Sequence, residues 1–94
     1  MGRLIYTEDS SFDIDDRLLA HLRVVVMNKL RRSEGFMLQT PTKGGGEASI
    51  WIGASTAQMM QFHGGRPPQL DAELIDRMMR DASGADGLTL RNRT

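Results

Sequence analysis

The sequence predicts an α+β domain, a single mainly antiparallel sheet with two helices on one face in the order β-α-β-β-β-α-β. Three observations carry this. Two stretches repeat apolar residues at helical spacing, five short segments are rich in β-forming residues, and clusters of glycine, proline and small polar residues separate them. A chain of 94 residues sustains one core, so residues 1–94 are read as one domain with a polar C-terminal tail from about residue 91. Two amphipathic helices most economically bury their apolar stripes on one face of one sheet.

The first strand is read at Arg3 to Thr7, closed by the polar turn cluster Glu8-Asp9-Ser10-Ser11. The first helix follows from Ile14, Leu18, Leu22, Val25, Val26 and Leu30, whose spacing of three and four places them on one helical face. Asp15 is positioned to cap its free amides, with Ile14 and Leu19 as a hydrophobic staple. Lys29, Arg31 and Arg32 crowd the last turn before Ser33-Glu34-Gly35, so the boundaries fall near residues 15 and 33.

Phe36 to Thr40, Ala48 to Gly53 and Gln58 to His63 read as the three middle strands, most simply joined as an antiparallel meander. Alternation puts Ile50 and Ile52 on one face and Trp51 on the other, which leaves Trp51 either under a second cover or partly exposed. Gly64-Gly65-Arg66-Pro67-Pro68 cannot continue a central strand and reads as a loop. The second helix starts at Leu70-Asp71, carries Leu74, Ile75, Met78 and Met79 on its apolar stripe, and stops at Ser83-Gly84. Leu88-Thr89-Leu90 is the last strand.

Composition narrows function mostly by exclusion. Twelve basic residues balance twelve acidic ones, which removes the global charge argument for a dedicated nucleic-acid or anionic-membrane binder. No cysteine is present, so disulfides, thiol nucleophiles and thiolate metal sites have no residues to form them, and a reducing cytoplasm is the expected location. Neither a signal-like apolar run at the N-terminus nor a run long enough to cross a bilayer occurs, so no membrane partner is expected.

No motif assembles a catalytic centre. His21 and His63 are the only histidines and stand outside any metal-ligand pattern, with His21 placed at the edge of the helical stripe. No nucleophile elbow or familiar triad spacing occurs, and Lys43-Gly44-Gly45-Gly46 reverses the order of a phosphate-binding loop and precedes a strand. No cofactor, metal or catalytic residue is therefore assigned, and the chain is not expected to be an enzyme. A candidate contact surface joins Lys29, Arg31 and Arg32 with His63 and Arg66, if folding brings them together. The competing explanation is that the helix-end charges serve the helix dipole.

Gly2-Arg3-Leu4-Ile5-Tyr6, Ile14-Asp15-Asp16-Arg17-Leu18-Leu19-Ala20-His21-Leu22, Lys29-Leu30-Arg31-Arg32, Ser49-Ile50-Trp51-Ile52, Gln61-Phe62 and Arg66-Pro67-Pro68 follow one another in the chain. Taken in this order, they resemble a small bacterial domain family of unknown function, over about residues 2 to 90. Members of that family are often labelled ATP-dependent DNA ligase or described as ligase-associated. The resemblance implies association and not ligase chemistry, since Lys29 and Lys43 both lack the Lys-x-Asp-Gly context of an adenylate-accepting nucleophile.

The expectation is a noncatalytic binding or interaction module, accessory to DNA transactions, with a protein partner or a second copy of itself. One sheet covered on one side leaves edges and a face that homodimerisation would protect. The alternatives are direct nucleic-acid binding and a small enzyme linked to nucleotidyl transfer.

Overall fold

The computed structural model describes residues 2–7, 10–42, 44–53, 59–62, 64 and 68–90. The elements run β1 (Gly2–Thr7), β2 (Ser10–Ile14), α1 (Asp16–Arg31), β3 (Phe36–Pro41), β4 (Glu47–Ile52), β5 (Met59–Gln61), α2 (Ala72–Ala82) and β6 (Leu88–Thr89). The α+β class is as expected from the sequence.

The single sheet is replaced by two three-stranded sheets, ordered β2-β1-β5 and β4-β3-β6. The difference begins at β2, which starts inside the polar cluster read as a turn and pairs antiparallel with β1, setting Gly2 opposite Ile14 and Leu4 opposite Phe12. With one edge of β1 taken by β2, the three residues of β5 pair with its other edge, Leu4 opposite Met60, and the meander from β4 to β5 does not form. In the second sheet β3 pairs antiparallel with β4 and parallel with β6. The Tyr6 hydroxyl donates to the Trp51 carbonyl at 3.0 Å, which links β1 of the first sheet to β4 of the second.

Alternation decides which side chains enter the core. Along β3 and β4, Phe36, Leu38, Thr40, Ile50 and Ile52 are buried, while Trp51 and Ser49 face outward. Helix α1 packs on β1 and on α2, and α2 packs on β3 and β6. The apolar side chains of both sheets and both helices meet in one cluster, from Leu4 and Ile14 through Leu19, Leu22 and Val25 to Leu38, Met78 and Leu88.

Both helix starts follow the sequence expectation. Asp15 caps α1 through the Leu18 amide at 3.4 Å, and Asp71 caps α2 through the Glu73 and Leu74 amides at 3.0 and 3.3 Å. Ile14 and Leu19 are fully buried as a hydrophobic staple, whereas Leu70, the equivalent residue before the α2 cap, is exposed and forms none. Other contacts fix that end, as described next. Helix α1 turns out through Ser33, a non-glycine residue at φ 56°.

Candidate functional site

Two polar side chains on the apolar face of α1 hold α2 in place. His21 is fully buried, and its Nε2 accepts from the Asp71 backbone amide at 2.8 Å. A backbone amide only donates, so the imidazole carries its proton on Nδ1, which donates to the Arg17 carbonyl at 2.6 Å. Arg17 adds an exposed ion pair to Asp71 at 3.6 Å, and Asp16 accepts from the Gly64 amide at 2.8 Å. The chain entering α2 is thus tied to the first two turns of α1.

Lys29 does the corresponding work at the other end. Its side chain is buried, and its ammonium donates to Ser83 Oγ at 2.6 Å and to Glu34 Oε1 at 3.1 Å. Ser83 is the C-cap of α2, and its hydroxyl donates onward to the Met79 carbonyl at 3.1 Å. A cation here complements the negative ends of both helices, since Lys29 itself lies in the last turn of α1. His21 and Lys29 meet the start and the end of α2 respectively, so the two helices run in the same general direction.

Beside Lys29 lies an open groove of about 400 Å³. Its floor and one side are Lys29, Glu34, Gly35, Met37 and Trp51, and its other side is the backbone-rich turn from Ala82 to Gly87. Trp51 is half exposed, and its ring lies over Gly35 and Gly53. A methyl group added at residue 53 would meet the indole Nε1 at 2.7 Å, and one added at residue 35 would meet Cε2 at 2.8 Å. Glycine at both places lets the indole rest flat on the end of the second sheet. Gly87, at φ +75°, brings the opposite wall against the Met37 carbonyl, an approach that a side chain would block.

The residues singled out in the sequence divide as follows. Arg31 and Arg32 are exposed at the end of α1, in the turn that leads to Glu34, and neither forms an ion pair among the described residues. Lys29 points inward and forms the groove floor. His63 and Arg66 lie outside the described residues, as do Lys43 and the ends of the segment from Gln58 to His63. Sequence reasoning left the side of Trp51 open and did not single out Met37, Glu34 or Ser83; the two glycines, set opposite each other by the β3–β4 register, were the available signal.

The profile of a domain family of unknown function, DUF7882, matches residues 1–93. The chain belongs to this family. The family carries no assigned activity, and no link to DNA ligase accompanies the match. No curated protein and no solved structure matches the chain. Among the described residues, no helix is long and apolar enough to cross a membrane.

Proposed function

We propose that this chain is a noncatalytic protein-interaction module whose contact surface is the groove beside Trp51. One observation carries the reading: the chain's single tryptophan is half exposed yet held flat by two glycines at the edge of a groove. A large aromatic side chain kept at the surface in a fixed pose has the character of an interface anchor, combining much contact area with little conformational freedom left to lose. The wall opposite, formed by Gly84, Ala85 and Gly87, carries no bulky side chain that would keep a partner off the indole, and Glu34 adds an exposed carboxylate to the lining.

The groove also contains a lysine and a serine at hydrogen-bond distance, a pairing used by some hydrolases. That chemistry needs a neutral amine to take the serine proton. Here the amine donates to the Glu34 carboxylate, and the serine proton is directed to the Met79 carbonyl. Both groups are engaged in holding α2, which supports the noncatalytic reading. A role accessory to DNA transactions, as the family resemblance suggests, places the module beside other proteins and requires no nucleic-acid surface of its own.

A photo-crosslinking residue introduced at Ala85, which is exposed on the groove wall, tests this in cells of the source organism. Protein adducts that disappear with Trp51→Ala are the expected result. Adducts to DNA or RNA that weaken steeply with added salt would replace it with the nucleic-acid reading.

A further inference from the structure

We propose that His21 is an acid-sensitive latch: a proton taken up at its Nε2 breaks the bond to the Asp71 amide and frees the chain that enters α2.

Donor and acceptor matching makes the latch. The ring is fully buried, and both nitrogens are committed to backbone groups, Nδ1 donating to the Arg17 carbonyl at 2.6 Å and Nε2 accepting from the Asp71 amide at 2.8 Å. A proton on Nε2 turns that acceptor into a second donor and sets N–H against N–H. Neither group reaches water while buried, so charging the ring requires that the segment at Asp71 move off it.

The surroundings offer an imidazolium little compensation. On α1, Arg17 stands one turn before His21 and adds a cation, while Asp15 caps the Leu18 amide and Asp16 holds the Gly64 amide. In the segment entering α2, the Asp71 carboxylate accepts from the Glu73 and Leu74 amides and pairs with Arg17 at 3.6 Å, so it serves the helix cap. Helix α2 turns Leu74, Ile75 and Met78 toward the core, and its Glu73, Asp76, Arg77 and Arg80 line a hollow on another face. Strand β1 sets Gly2 against Asp16 and Leu19, with Leu4 buried on the same side; its Arg3 pairs with Asp13, and its Tyr6 bonds to the Trp51 carbonyl. Lys29 lies about two turns further along α1, bonded to Ser83 and Glu34.

Linkage sets the direction. In the unfolded chain the imidazole is exposed and charges as the pH falls below the ordinary histidine value of about 6.5, whereas the latched ring carries one proton only. The unfolded state thus binds the additional proton, so the stability that the latch contributes is fully present above that range and is lost as the pH falls through it. Histidine is the side chain whose ordinary titration spans this range, so the Lys29 ammonium at the other end of α2 keeps its charge. Acid therefore releases the start of α2 and leaves the end beside the groove held.

The full chain is compared with His21→Gln, whose side-chain carbonyl oxygen can accept from the Asp71 amide and does not change charge. Circular dichroism establishes that both are folded, and urea unfolding gives the folding equilibrium constant of each. From about pH 7.5 to about pH 5.5, the constant of the unchanged chain should fall about tenfold relative to that of the glutamine variant, the factor for a histidine that charges only when unfolded. Titrations elsewhere, His63 included, are common to both chains and cancel.

Parallel pH profiles overturn the proposal. So does a gain in stability relative to the glutamine variant on acidification, which would mean that the imidazolium draws the Asp71 carboxylate to itself. Should His21→Gln fail to fold, the Asp71 amide of the unchanged chain decides: a fall of about tenfold in its exchange protection factor over the same range supports the latch, and a constant factor overturns it.

Discussion

At the start of α2 a buried imidazole accepts a hydrogen bond from the Asp71 backbone amide, and at its end a buried ammonium donates to the capping serine. Both side chains come from α1, and each has the polarity that its end of α2 requires. The environments differ. His21 is fully buried and bonded at both nitrogens to backbone groups, whereas one partner of Lys29, Glu34, has a half-exposed side chain beside an open groove. The molecule is closed at one end of its helix pair and accessible at the other, and the accessible end is where Trp51 stands.

The comparison breaks first at His21. Replacing it with alanine opens a cavity and strands the Asp71 amide, so His21→Ala is expected to lower stability by about 3 kcal/mol, read as a fall in the urea midpoint. Lys29→Ala removes a buried stem and unpairs Glu34 and Ser83, but water reaches Glu34; the expected loss is about 2 kcal/mol in the same assay. Lys29→Met keeps the stem volume and should cost no more than about 1 kcal/mol, because the stem stays packed and water solvates the half-exposed Glu34 carboxylate that is left behind. If the methionine variant is as damaged as the alanine variant, the charge and not the packing holds that end.

Thr40 sharpens the contrast from the other side. It is fully buried, and its hydroxyl has no hydrogen-bond partner among the described residues. Thr40→Val keeps the shape and removes the unmatched polar atom, so thermal unfolding should show a gain of about 1 kcal/mol. A loss would mean that this hydroxyl is satisfied after all. The smallest effect is expected at Ser33, where the positive φ strains any residue with a Cβ; Ser33→Gly should add about 0.5 kcal/mol.

Much of this frame was legible in the sequence, and the reasons for the rest are specific. Apolar spacing and aspartate caps located both helices to within a residue or two, because those signals are local. The division into two sheets was not legible, since strand pairing is decided over long separations and the β2 segment opens with two serines that read equally well as a turn. His21 lies three residues after Leu18 and four before Val25, and Lys29 lies four after Val25 and three after Val26. Their positions on the apolar face were therefore present in the spacing. Residue type hid them, because histidine and lysine are usually assigned to the boundary or the surface. The groove was not visible from any one segment, since it joins the turn after α1, one face of the β3–β4 pair and the turn after α2.

Amide hydrogen exchange, followed residue by residue, tests the account most directly. The Asp71 amide should exchange slowly, held by His21, while the amides of Ala85 and Asp86, exposed in the turn beside the groove, should exchange fast. Fast exchange at Asp71, or protection at Ala85 and Asp86 equal to that at Asp71, would contradict it.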